Sequence, residues 1–125
     1  VPLDEGGLTG RLTLDSQFID DMRSIYFNRE RLQEFMPRIK KLEELLGEEA
    51  HTLPELALRY LLSFDEVSTV IPGTRKVATV DANAFLSDGR KLSNELMKEL
   101  KKHAWERNFY VDRDSSMEKE GYIEQ

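Results

Sequence analysis

The chain has 125 residues, 39% hydrophobic and 34% charged. That balance suits one modest globular domain, or a piece of a larger one, and leaves no apolar run long enough for a membrane helix. The absence of cysteine excludes disulfide scaffolds, zinc ribbons and thiol chemistry, and a net charge of −6 argues against nucleic acid or an anionic membrane as partner. The start, Val1-Pro2-Leu3-Asp4, has neither the basic region nor the apolar stretch of a signal peptide, so the cytoplasm is the simplest compartment. The chain begins at Val1 without an initiator Met, as a processed product or a fragment would.

Residues 1–14 carry three glycines within five positions and no helical period, which predicts the end of a strand followed by a loop. Phe18, Ile19, Met22, Ile25 and Tyr26 have helix-like spacing in a short segment, enough for a turn or two inside that loop. Asn28 is an N-cap candidate, and Leu32, Phe35, Met36, Ile39, Leu42, Leu45 and Leu46 form one apolar stripe ended by Gly47. Pro37 lies inside that pattern, so the helix either kinks there or starts anew with Pro37 in its first turn.

Thr52-Leu53-Pro54-Glu55 is a capping box with proline in the first turn. Leu53, Leu56, Ala57, Tyr60 and Leu61 form the apolar face that follows, and Phe64-Asp65-Glu66 ends the helix. Val67-Ser68-Thr69-Val70-Ile71 is short, β-branched and bounded by Pro72-Gly73, the pattern of a buried strand. Residues 75–86 suit a short helix. Ser93 caps another, with Leu96, Leu100 and Ala104 on one face. Residues 111–125 lose the period and carry −3 of the −6 net charge, so they read as an acidic, mobile tail beyond a segment 1–110.

Strands alternating with helices indicate an α/β protein with parallel strands, mostly helical by residue count. Two strands leave both edges and one face of such a sheet open, so the pattern is that of part of a larger sheet or barrel.

Two segments carry candidate chemistry. Gly6-Gly7-Leu8-Thr9-Gly10-Arg11 is a glycine-rich turn after a strand, where backbone N–H groups can cradle a phosphate and Arg11 can add a cation. Ile71-Pro72-Gly73-Thr74-Arg75-Lys76 places a turn, two cations and a helix start at the end of the second strand. Each has a plainer reading, a turn that needs glycine or a turn with solvated cations. Parallel strands would put both loops at the same sheet ends, where ligands bind.

The remaining singletons are weaker. His51 and His103 lack motif-spaced partners, so no metal site is expected. Glu43-Glu44 and Glu48-Glu49 read as a solvated helix face, and Trp105, Phe109 and Tyr110 as a cover for a neighbouring core. No nucleophile has a base in reach, so no catalytic residue is assigned.

The two loops together with the helix between them resemble the aldo-keto reductases. Pro2 to Arg11 resembles the family's Pro-Leu-x-x-Gly-x-Leu-Thr-Gly-Lys segment, Leu56 to Leu61 its next barrel helix, and Val67 to Arg75 its eighth strand and following loop. The ordered match runs from about Val1 to Tyr110. The resemblance implies the C-terminal portion of a (β/α)8 barrel, about strand seven to the last helix, in an NADPH-dependent carbonyl reductase or alcohol dehydrogenase. The family's catalytic Asp, Tyr, Lys and His precede this region, so none is carried over.

What the resemblance carries over is half of a cofactor site. It implies that Pro2, Leu3, Asp4, Gly6, Leu8 and Gly10 line the pyrophosphate, with Arg11 where a Lys often sits and Arg23 near a phosphate-binding Arg. It implies that Gly73, Thr74, Arg75, Thr79 and Asn83 face the adenosine end, with Arg75 a candidate for the 2′-phosphate. Thr79 stands where a Gln or Arg is common, and Ala82 where a Glu usually contacts adenine. The implied partners are the nicotinamide dinucleotide and the missing N-terminal half of the barrel. A reading of another class is a non-catalytic helical module that self-associates through open sheet edges. A helix-turn-helix DNA binder is disfavoured by the acidic balance and the lack of a basic recognition helix.

Overall fold

Residues 2–110 are described by a computed structural model; Val1 and the expected tail at 111–125 lie outside them. A 3-10 turn, Asp4–Thr9, comes first. Five helices follow: α1 Arg23–Tyr26, α2 Arg29–Glu43, α3 Leu53–Leu62, α4 Val77–Phe85 and α5 Asn94–Lys102.

Three helix starts follow from side-chain caps, each satisfying an amide that would otherwise lack a partner. The Asn28 side chain accepts from the Arg31 amide, Thr52 from Glu55 and Ser93 from Leu96. Pro37 lies inside α2, which runs on to Glu43 without restarting. The helix ends before Gly47, whose amide donates to the Ala50 carbonyl instead of closing the helix.

The main core gathers Tyr26 and Phe27 from the α1 end, Leu32, Phe35 and Ile39 from α2, Leu53 from α3, and Phe109. Burying each of these large side chains contributes about 1.5–3 kcal/mol. A smaller cluster joins Ala50, Leu56 and Leu92, with Leu96 and Leu100 of α5 packed against it. The aromatic residues at 105–110 do cover a core: Phe109 meets Tyr26 and Trp105 edge-on at 5.5 Å each.

Several expectations are corrected. Residues 2–14 contain no strand end; their turn is helical in part. Val67–Ile71 forms no strand, and Ile71 is 85% exposed. A strand exists through its ladder, and no strand at all is present among the described residues, whose regular elements are helical where the sequence predicts an α/β pattern with parallel strands. Of the stripe near α1, Ile19, Met22 and Ile25 are exposed, because four helical residues cannot turn a whole face inward. On α3 the buried set includes Leu58 and Arg59, a charged residue with no exposure at all. Glu49 is not a solvated helix residue: its carboxylate accepts from the Ser93 amide at 2.6 Å and hydroxyl at 2.8 Å, tying the α5 start to the loop before α3.

Candidate functional site

The glycine-rich turn folds on itself. The Leu3 carbonyl accepts from the Gly6 amide at 3.0 Å and the Leu8 amide at 3.1 Å, so two of the N–H groups expected to face a phosphate are spent within the turn. Gly6 takes φ +97°, a left-handed backbone that favours glycine, and a Cβ there would meet open space. Gly7 has a different reason to be glycine: it is buried, and a Cβ would stand 2.5 Å from Phe35 Cζ. Gly10, at φ 71°, ends the turn over the Leu53 side chain.

Beside this turn lies a cleft of about 890 Å³. One wall comes from the turn and the loop after it, through Leu3, Gly6, Arg11 and Arg23; the other comes from Gly73, Thr74 and Arg75 with Thr79 and Asn83 of α4. Segments some sixty residues apart in sequence thus share one cavity. Thr79 and Asn83 are one helical turn apart, which puts both on one α4 face. Lys76 sits at the N-cap of α4 with no side-chain acceptor, so the positive end of that helix faces the same region.

The other four expected residues do not line the cleft. Pro2 belongs to an apolar hollow with Leu61, Val67, Val70 and Ile71. Leu8 packs against the main core, and Gly10 caps the turn. The Asp4 carboxylate accepts from the Tyr26 hydroxyl at 2.6 Å and pairs with Arg107.

The charge in the cleft is mixed but positive. Arg11, Arg23, Arg75 and Lys76 face Glu5 and Asp21. Sequence reasoning missed both carboxylates, although Asp21 and Arg23 at i, i+2 are a recognisable local pair. The Arg23 guanidinium holds Asp21 through Nε at 3.0 Å and Nη2 at 2.6 Å. That side-chain hydrogen bond, with the Arg23 amide and the charge of Arg75, lowers the Asp21 carboxyl to about 2. Arg23 is thereby largely neutralised, while stacked over Phe18 with its guanidinium carbon 4.7 Å from the ring centre. Arg11 and Arg75, both exposed, and Lys76 are left as the cations set by the loops.

One buried polar group in the cleft is unsatisfied. Asn83 Nδ2 is shielded from solvent and has no hydrogen-bond partner. A buried amide donor left alone costs about 1–3 kcal/mol, and a ligand acceptor would relieve it. Excess cations, a helix N-terminus, an unpartnered donor and a glycine at 73 with open space above it form a donor set that fits an extended anionic ligand.

The sequence matches the family model described as the aldo/keto reductase family over residues 1–104. The chain belongs to the aldo-keto reductase family. The family's general chemistry is that of oxidoreductases, on a (β/α)8 barrel and served by nicotinamide cofactors. No curated protein and no solved structure matches the chain. In the described residues of this family member, no helix is long and apolar enough to cross a membrane.

Proposed function

We propose that this chain is the cofactor-holding C-terminal part of a cytoplasmic, NADPH-dependent aldo-keto reductase barrel, with residues 1–110 as the barrel segment. In the full-length protein the reaction joins a carbonyl substrate to its alcohol. The observation that supports this reading best is the shared cleft, in which both anion-binding loops meet around an unpartnered Asn83 donor. Arg11 and Lys76 would hold the pyrophosphate, Arg75 the 2′-phosphate, and Thr79 and Asn83 the adenosine end. Gly6 and Gly73 would let the backbone approach. The cofactor, when bound, supplies the hydride. Proton transfer falls to residues outside this chain.

Fluorescence titration of NADPH, with the 125-residue chain and with the full-length parent, tests this. Saturable binding that weakens with salt is expected, with NADH weaker by about tenfold for the loss of one charge-assisted contact. No binding by a parent shown to be folded would refute the proposal.

A second reading rests on a separate observation. Ile71, at the end of the segment 67–71 that forms no strand, and Val77 and Phe85 of α4 are 85%, 78% and 74% exposed. That apolar surface suits either the rest of a barrel sheet or a second copy of the chain. Light scattering across a concentration series separates them: a concentration-dependent dimer favours self-association, and a stable monomer counts against it.

A further inference from the structure

The glycine-rich turn is held by the far end of the described chain. Asp4 and Glu5 both take positive φ, 53° and 52°, although both carry a Cβ. Residues in that region persist where surrounding contacts over-determine them. Here each carboxylate is gripped. Asp4 accepts from the Tyr26 hydroxyl through Oδ1 and pairs with Arg107 through Oδ2. Glu5 Oε1 accepts from the Tyr110 hydroxyl at 2.7 Å.

The grip is itself anchored. The Arg107 guanidinium lies over the rings of Trp105, Phe109 and Phe35, 4.8, 4.9 and 5.5 Å from their centres. Phe109 is buried, and its carbonyl accepts from Arg31 of α2 at 2.5 Å. Glu5 and Gly6 line the same cleft as Arg11, Arg23, Arg75 and Lys76. A Glu5 carboxylate released from Tyr110 would therefore compete with an anion for the cations.

We infer that Arg107 and Tyr110 are positioning residues for the cleft: through Asp4 and Glu5 they hold the glycine-rich turn in its left-handed form and keep the Glu5 carboxylate engaged. Asp4, on this account, serves the site through the scaffold and not by touching a ligand. The inference deepens the dinucleotide reading above and rests on it for the choice of ligand.

The test uses the full chain with Tyr110→Phe, Arg107→Lys and the double variant Tyr110→Phe/Glu5→Gln. Tyr110→Phe removes one oxygen from a half-exposed ring, so its melting temperature should stay within about 2 °C of the parent value. Two readouts follow. Hydrogen exchange of the Gly6 and Leu8 amides, measured without ligand, should quicken about tenfold in Tyr110→Phe as the turn opens more often. The NADPH dissociation constant should rise about fivefold and return towards the parent value in the Glu5→Gln double variant, a rescue that a merely structural role would not give.

Unchanged exchange in both single variants would overturn the inference. So would faster exchange with an unchanged dissociation constant. Faster exchange in a folded full-length parent that never binds NADPH would support the grip on the turn and refute the dinucleotide reading alone.

Discussion

Arg59 carries the largest single wager on stability. Its guanidinium has no exposure; Nε donates to Glu55 Oε1, Nη1 to Asp88 Oδ1 and Nη2 to Asp88 Oδ2, each at 2.9 Å. Nη1 also reaches the Arg90 carbonyl at 3.3 Å. The Asp88 fork raises the pKa of Arg59 further, so the cation is never lost. Hydrogen bonds to charged groups contribute about 1.5–3 kcal/mol each, which would give about 4.5 kcal/mol or more for three. Two effects reduce that sum. Dehydrating the guanidinium costs several kcal/mol, and the carboxylates keep 15% and 33% of their exposure, so water already supplied part of the gain. The expected net cost of Arg59→Met is about 3 kcal/mol. Arg59→Lys keeps the charge and the stem but loses the parallel fork, and should cost about half as much. Urea unfolding followed through the single tryptophan, Trp105, measures both. With a slope of about 1.5 kcal/mol per M for a domain of this size, the midpoint should fall by about 2 M for Met and about 1 M for Lys. A Met variant as stable as the parent, or more stable than the Lys variant, would refute the reasoning. The site would then be one where apolar packing replaces an ion pair at no cost.

Further outcomes follow from the same structure. Asp88 is held well below the usual carboxylate range, chiefly by the Arg59 hydrogen bond. Burial pushes Glu55 upward, but hydrogen bonds from the His51 amide and Arg59 outweigh it and lower its pKa. Depressed carboxylates stabilise the fold fully above their unfolded pKa of about 4 and lose that contribution as pH falls below it. Melting temperature should therefore drop between pH 5 and pH 3, and drop less in Asp88→Asn/Glu55→Gln; an equal slope would contradict the linkage. Gly7→Ala should destabilise by about 1–3 kcal/mol in chemical denaturation, because its Cβ meets the rigidly packed Phe35 ring at 2.5 Å. Gly73→Ala, with nothing within 4 Å, should change stability by less than about 0.5 kcal/mol. Ser93→Ala removes the α5 cap and the hydroxyl bond to Glu49 while leaving the backbone amide's bond, and should cost about 1–2 kcal/mol in the same assay.

Local signals in the sequence were the ones that translated into structure. Asn28, Thr52 and Ser93 each cap the helix their neighbours predict, since a cap needs only amides two or three residues away. Arg59 was hidden because its burial depends on Asp88, twenty-nine residues on, and no period reports such a partner. Glu49 was misread for the same reason, its donor Ser93 lying forty-four residues on, beyond α3 and α4. In the cleft, residue types and turn chemistry pointed to the two walls, and Arg11, Arg75 and Asn83 do meet there. Which groups spend themselves on one another was not legible. The Gly6 and Leu8 amides turn to Leu3, and the Asp4 carboxylate to Tyr26 and Arg107.

The segment Val67–Ile71 is where sequence and structure disagree most, and the disagreement has physical content. Its β-branched composition is that of a strand covered on both faces, yet Ile71 is 85% exposed and the backbone has no ladder. Helix α2 does not share this mismatch: Leu32, Phe35 and Ile39 are buried as their spacing requires. Helical hydrogen bonds close within the segment that forms them, so a helix needs only a surface to pack on. A strand needs another strand for its hydrogen bonds, and a parallel one needs a crossover of a dozen or more residues to reach it. A β-branched segment with no strand beside it is thus the element most dependent on neighbours. The family's barrel offers it two, and the same five residues that fail as a strand alone are those whose pairing would bring Gly73 and Arg75 to a sheet end. On the proposed reading, restoring that pairing should protect the Val67–Ile71 amides from exchange while leaving the α3 amides as they are. A full-length parent in which those five amides exchange as fast as in the 125-residue chain would count directly against a barrel strand at this position.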